Sequence, residues 1–521
     1  MSLRHPPHFH VAIVGSGFGG LGMAIRMKQE GFRDFVIFER ASEVGGVWRD
    51  NSYPGCACDV QSHLYSFSFA PNAGWSRAYS PQAEIQTYLL ACADRFGLRP
   101  YLRFNHAVTS ARWDEGAQRW HIETSAGPYT ADVFVSAVGG LSEPAMPRLP
   151  GLERFQGKVM HSARWDHGHD LTGRSVAVIG TGASAIQFVP AIQPKVGRLR
   201  LFQRTPPWII PRKDRAISRA AKWVFQRVPG ARSLTRGVIY ALRELTAYGF
   251  MHPWLLKLVQ RQAVRHLKAS VPDPALRAKL TPSYTLGCKR ILISDDYLPA
   301  LTRENVDVIT EPIREVREHS IVTADGAEHP VDTLILGTGF QVTDLPIAHH
   351  IRGHGGRSLV EAWAGTMKAH LGTSVSGFPN LFFLLGPNTG LGHTSVILMI
   401  ESQIEHVLGA LRYLEGRSLA AVEPTPEAQA AFVQDVDTRM AGTVWLKGGC
   451  QSWYMDTTGR VSTLWPGTTW SFRRRVERFE PGEYLAIPRH GHTAVGALRR
   501  LPERSSGGAP ALTQSRIGGS S

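Results

Sequence analysis

Two glycine-rich segments constrain this chain more than anything else in it. HVAIVGSGFGG carries Gly15, Gly17 and Gly20, and SVAVIGTGASA carries Gly180, Gly182 and Ala185 at the same spacing. Each follows a short apolar run that reads as a buried parallel strand, and each opens into a helical pattern. The first glycine permits a tight turn. The second lets the backbone approach a pyrophosphate, and the third small residue lets helix pack closely on strand. Free N–H groups at the helix start then face the anion. One such loop is a weak signal. Two predict an α/β fold built from two Rossmann-like dinucleotide-binding domains whose ligands must meet.

The loops differ further along. The strand segment FVIFER carries Glu39 near its end, 24 residues past Gly15. A carboxylate about 20 residues on accepts from a ribose 2′-OH and repels a 2′-phosphate, which suits the ADP half of FAD. After the second loop LRLFQR ends in Arg204, 24 residues past Gly180. A cation where the acid should stand favours a 2′-phosphate, and hence NADPH over NADH. Ser184 in the second loop and Thr205 beside Arg204 complete the expected cofactor contacts.

Composition excludes other classes. The chain has 521 residues, 43% of them hydrophobic, enough for several domains. No uncharged apolar run reaches the roughly 18 residues of a membrane-crossing helix. The start MSLRHPPHFH lacks the apolar core of a secretory signal, so a cytoplasmic protein is expected. Five cysteines, odd in number and scattered, argue against a disulfide framework, and Cys56 and Cys58 do not form a C-x-x-C redox pair. No His/Cys cluster has metal-ligand spacing. The net charge of +15 raises nucleic acid and membrane as partners. Two anionic cofactors account for part of it, and no aromatic-interleaved basic stripe suggests nucleic acid.

Residues 1–145 and 345–487 are read as the two parts of the FAD-binding domain, and 146–211 and 286–344 as the two parts of the NADPH-binding domain. Between the latter, 212–285 turns helical, basic and aromatic (RAAKWVFQRV, VIYALRELTAYGFM, PWLLKLVQRQAVRHL) and reads as a helical insertion. Its faces could touch a membrane surface; packing and solvated lysines are the simpler account. The Gly/Ser/Arg/Pro-rich tail, 488–521, is expected to be disordered.

Two further motifs lie around the glycine loops. FQGKVMHSARWD places Phe155, Gly157, His161, Trp165 and Asp166 in the pattern F-x-G-x(3)-H-x(3)-W-D. GGVWRDNSYPGCACD, Gly45 to Asp59, fits G-G-x-W-x(4)-[FY]-P-G-x(3)-D. Both resemble the signatures of the type I Baeyer–Villiger monooxygenases, and the resemblance runs from about residue 8 to 485. It implies that NADPH reduces FAD, that O2 then gives a C4a-peroxyflavin, and that the peroxide converts a ketone to an ester or lactone, or oxidises sulfur or nitrogen. It also implies roles. Arg290 in LGCKRILISDDY matches the active-site arginine, and Asp59 the carboxylate that positions it. Lys289 matches a 2′-phosphate lysine, Trp48 an aromatic beside the flavin, and Trp453 a tryptophan touching the nicotinamide cofactor. His161 matches a histidine with a conformational, domain-linking role. Gly337 and Gly339 resemble a strand end found near the domain crossing in two-dinucleotide flavoproteins.

Arg290 has its own physical argument. An attacking peroxide anion and the adduct it forms both carry negative charge in a dry site, and a fixed guanidinium stabilises both without losing its proton. One departure stands beside it: Ile291 follows Arg290 where cyclic-ketone members usually have proline. Heteroatom oxygenation therefore stays open, as does a flavin reductase or oxidase that makes no oxygenated product.

Overall fold

The computed structural model describes residues 5–490. Of the tail expected to be disordered, 488–521, residues 491–521 lie outside the described residues, and its first residue, Pro488, instead closes the strand Tyr484–Pro488.

The first sheet is centred on β1 (His8–Val14), whose Val11, Ala12 and Ile13 are fully buried. A strand covered on both faces reads as a continuous apolar run, as this one does. β1 pairs in parallel with β2 (Phe35–Phe38) on one side and β6 (Gly127–Ser136) on the other. β3 (Leu102–Arg103) extends the sheet beyond β2. β4 (Val108–Asp114), β5 (Arg119–Thr124) and β6 form an antiparallel meander. A strand from far along the chain, Leu381–Phe383, also pairs with β6. The long helix Val396–Arg417 then packs against α1 (Phe18–Gln29) through Ile400, Ile404 and Val407.

The second sheet is wholly parallel. Its order is Val306–Ile309, β9 (Arg198–Phe202), β8 (Ser175–Ile179), Thr333–Leu336, β7 (Lys158–His161). In both sheets the glycine loop leaves the carboxyl end of a central strand and enters a helix, α1 in the first. In the first loop the need for glycine is steric: a Cβ on Gly20 would sit 1.8 Å from the carbonyl oxygen of Gly15. Two further helices matter for the site, α2 (Val47–Asp50) and α3 (Gln82–Arg95). The second loop opens into α4 (Ala185–Ile192).

A helical segment grows from a narrow neck on the second domain. There Ile209–Ile210 pairs in parallel with Leu292–Ile293. Between these strands lie α5 (Arg219–Arg227), α6 (Ala231–Met251) and α7 (Leu256–Ser270). The segment is tied to the first domain through α6. Arg236 donates to the carbonyls of His63, Leu64 and Ser66 at 3.0–3.2 Å, and Arg243 to Gln61 Oε1 at 2.9 Å.

The cysteine expectation needs correction. Cys288 and Cys450 form a disulfide, with Cα atoms 6.1 Å apart. The two lie 162 residues apart, so only the tertiary fold brings them together. Count and spacing carried no trace of it. Cys56, Cys58 and Cys92 are free and buried.

Candidate functional site

Asp59 and Arg290 meet across the two domains. Asp59 lies on the segment between α2 and α3. Arg290 stands two residues before Leu292, where the neck pairing fixes the backbone: Leu292 N–H donates to Trp208 O at 3.0 Å and Ser294 N–H to Ile210 O at 3.1 Å. Arg290 Nε and Nη2 both donate to one carboxylate oxygen of Asp59, at 2.9 and 2.7 Å. The Nη1 edge is left for another acceptor. The two side chains are 31% and 26% exposed, so the pair has an open side that a ligand can reach.

The ionisation of the pair is mutual. Asp59 raises the guanidinium's pKa more than burial lowers it. Burial alone would raise the Asp59 carboxyl; the charge and hydrogen bonds of Arg290, with Arg243 beyond, hold it below the usual carboxylate range. Both groups are therefore charged at neutral pH.

Aromatic groups surround them. Trp48 Nε1 donates to Tyr65 Oη at 3.1 Å, and the rings meet edge to face at 5.5 Å. Burial drives the Tyr65 phenol well above its ordinary pKa, and it senses the charges of Asp59 and Arg290. Tyr454 is 1% exposed and its hydroxyl has no hydrogen-bond partner. Burial pushes its pKa up to about 12 against the opposing charge of Arg290. Neither tyrosine was expected from sequence. Tyr454 adjoins Trp453 in SWYMD, and that adjacency was its one signal. Trp453 itself is 44% exposed and packs tilted against Tyr454, with centroids 4.4 Å apart.

On the first glycine loop, Glu39 is buried at the end of β2. One of its oxygens accepts from Ser16 Oγ at 2.6 Å and Ser16 N–H at 3.1 Å. The other accepts from Ala41 N–H and pairs with Arg49, both at 3.0 Å. The acid is thus anchored beside the loop in a fixed orientation. A Cβ on Gly17 would have Gly46 Cα as its nearest neighbour, at 3.7 Å, so two glycine backbones bound an open cradle.

On the second loop, a Cβ at Gly182 would meet nothing within 4 Å. Ser184 is the N-cap of α4 yet makes no capping bond. Arg204 is exposed two residues beyond β9, and Thr205 O accepts from Thr181 Oγ1 of the loop at 3.2 Å. Lys289 lies near enough that burial first, then the charge of Arg204, lowers its pKa. Two cations held together against their repulsion form a receptor for an anion.

The other motif residues stand apart from Arg290. Phe155 and Gly157 hold edge strand β7 in place: a Cβ on Gly157 would lie 2.2 Å from Asp332 O and 2.6 Å from the Phe155 ring. Asp166 pairs with Lys158 and caps the turn through Gly168 N–H at 2.9 Å. Trp165 packs on Phe188 of α4 at 5.5 Å. His161 is buried, accepts from Ala163 N–H at 3.1 Å and meets Phe340 edge to face at 5.9 Å. Burial lowers its pKa, so it is neutral. It sits beside the two crossings, where Ala145 N–H donates to Gly339 O at 2.9 Å. Among the described residues no three His, Cys, Asp or Glu side chains could hold a metal ion, and no helix is long and apolar enough to cross a membrane.

The chain is similar to known proteins over most of its length. A family profile described as flavin-binding monooxygenase-like matches residues 8–350. A Baeyer–Villiger monooxygenase of Streptomyces coelicolor is 54% identical over 494 residues, covering 94% of this chain and 95% of the relative. Among solved structures, cyclohexanone monooxygenase from Rhodococcus sp. Phi1 bound to NADP+ superposes with a TM-score of 0.82 at 30% identity, covering 93% of this chain and all of that one. An OTEMO complex with FAD and NADP superposes with a TM-score of 0.83 at 26% identity, again over 93% and 100% of the two chains.

Proposed function

Because the chain belongs to the flavin-binding monooxygenase-like family, and within it to the Baeyer–Villiger monooxygenases, we propose that the Arg290–Asp59 pair is the centre at which it turns a ketone into an ester or lactone. The enzyme uses FAD and NADPH. The residues present fit both groups. Gly17 and Gly46 border the cradle for the FAD pyrophosphate, with Glu39 for its ribose and Trp48 beside the flavin. Gly182 leaves the opening for NADPH, Ser184 makes no capping bond, and Arg204, Thr205 and Lys289 gather at the 2′-phosphate position. When bound, FAD supplies the activation of dioxygen and NADPH supplies the reducing electrons.

The chain's own residues then do electrostatic and positioning work. Arg290 presents a permanent positive charge to the oxygen on which negative charge grows, and in a water-excluded site such a fixed charge acts with little screening. Asp59 holds the guanidinium at one orientation by two hydrogen bonds to a single oxygen. Tyr454 adds a donor beside it. His161 and its sheet neighbours link the two domains and take no part in proton transfer.

The observation that carries this reading is the charged Arg290–Asp59 pair joining the two nucleotide domains. The test is turnover of a panel of ketones and sulfides with NADPH and O2, products identified by mass spectrometry. Esters or lactones are expected. Sulfoxides alone, or NADPH consumption yielding only hydrogen peroxide, would contradict it.

A further inference from the structure

α6 is amphipathic inside out. Its cations Arg232, Arg236 and Arg243 share one helix face, which is turned toward the protein. Arg232 donates to the carbonyl of Pro71, and the other two are engaged as described above. On the opposite face Leu234, Val238, Leu242, Leu245 and Tyr248 recur at spacings of four and three, and they are 71, 51, 61, 65 and 48% exposed. Along the chain, exposed apolar side chains also flank the helix. Trp223 and Val228 stand at its start, and Trp254 and Leu258 at its finish, the two tryptophans 60 and 68% exposed. Of the 16 exposed large apolar side chains among the described residues, ten lie between 223 and 258. That concentration makes a patch, where scattered exposed apolar residues would call for no explanation. The sequence expectation that this segment packs its aromatic face does not hold for these side chains.

The charges around the patch narrow the occupant. Residues 219–270 hold ten Lys or Arg and a single acid, Glu244. Glu244 is turned inward, accepting from Thr469 Oγ1 and facing His393 at 3.3 Å. Arg219, Arg227, Lys257, Arg261, Arg265 and Lys268 are exposed. An apolar stripe flanked along the chain by tryptophans and with a cationic margin is the form of a surface that lies in the headgroup region of a bilayer. A second copy of the chain would set cations against cations.

We propose that this face docks on the surface of an anionic lipid bilayer, α6 lying in the plane of the interface with its leucines among the acyl chains. α6 has 21 residues, so the contact runs about 30 Å. The helix lies on the bilayer and does not span it. The neck Ile209–Ile210 and Leu292–Ile293 joins this helical segment to the stretch that carries Arg290. The docking argument does not depend on the oxygenation reading.

The experiment is co-sedimentation of the full-length, FAD-loaded protein with vesicles of phosphatidylcholine alone or mixed with phosphatidylglycerol. Binding to the mixed vesicles is expected, with a blue shift of tryptophan emission, and weak binding to phosphatidylcholine. Leu234→Glu with Leu242→Glu should abolish sedimentation while flavin absorbance and circular dichroism stay unchanged, since both positions are exposed. Lys257→Glu and Arg261→Glu should each weaken binding by roughly fivefold or more. Failure to sediment with either vesicle, equal binding to both, or undiminished binding of the leucine variants would overturn the proposal. So would a dimer in light scattering that Leu242→Glu splits, which would assign the face to a second copy.

Discussion

At the scale of single residues, the proposed chemistry rests on where Arg290 is held. Replacing it with alanine should separate the two halves of the cycle. Stopped-flow reduction of the flavin by NADPH should survive, because hydride transfer needs no cation at the oxygenation centre. Ester formation should fall by ~10²–10³, the typical loss when one oriented charge donor leaves a dry site. Oxygen uptake should continue as hydrogen peroxide release. Asp59→Ala should show a milder version of the split. Near-normal ester formation by Arg290→Ala would remove the residue from the mechanism. Tyr454→Phe gives a finer test. Its hydroxyl is buried without a partner, so the variant should be as stable as the parent or more so by about 1 kcal/mol. If the hydroxyl assists Arg290, product formation should nevertheless drop by roughly two- to tenfold, the worth of a neutral hydrogen bond. An unchanged rate would leave Tyr454 as packing. Arg290 and Asp59 could be singled out from sequence because each sits in a recognisable motif. Tyr65 and Tyr454 could not, since a tyrosine near a site looks the same in sequence as a tyrosine in a core.

At the scale of elements, the glycine loops were the most legible feature, because the close approach of backbone to backbone demands glycine at fixed spacing. In the proposed reading, cofactor choice is set at the end of the next strand, by an acid in one domain and a cation in the other. Arg204→Ala should weaken apparent NADPH affinity by about one to two orders of magnitude, from the roughly 1.5–3 kcal/mol of a charge-assisted contact, and leave NADH nearly unchanged. Titration with both nucleotides measures this; an equal loss for the two would mean that Arg204 acts on the fold of the loop. Short elements were the least legible. β4 and β5 form an antiparallel excursion within a domain that otherwise reads as alternating strand and helix. The two-residue pairing of Ile209–Ile210 with Leu292–Ile293 lies in a proline-broken stretch, TPPWIIPR, that carries no strand period. Such pairings are decided by tertiary contact, and so is the Cys288–Cys450 bond.

At the scale of the whole molecule, the presence of two glycine-loop sheets could be read from the two loops, but the return of the chain to its first sheet through Leu381–Phe383 had no local signature. The helix Val396–Arg417, next along the chain, carries a prediction about stability. His406 is fully buried on it, holding Tyr484 Oη at 2.8 Å, and burial pushes its pKa down to about 4 from 6.5. The unfolded chain therefore binds this proton first. The contribution is fully present above pH 6.5 and is lost as pH falls toward 4, a total of about 3 kcal/mol from this group alone. Denaturant titrations at a series of pH values should show that slope. His406→Gln should lower stability at neutral pH and flatten the dependence; an unchanged slope would assign acid sensitivity to other groups.

The same late return of the chain governs how the protein is made. While the ribosome has released only the first domain's opening strands, β6 lacks its neighbour Leu381–Phe383, and α1 lacks the helix that covers Ile25 and Leu21. Those apolar faces stay uncovered until more than 400 residues have been synthesised. The first domain to be translated is thus the last to be completed, and apolar surface left open during that interval is the kind that aggregates.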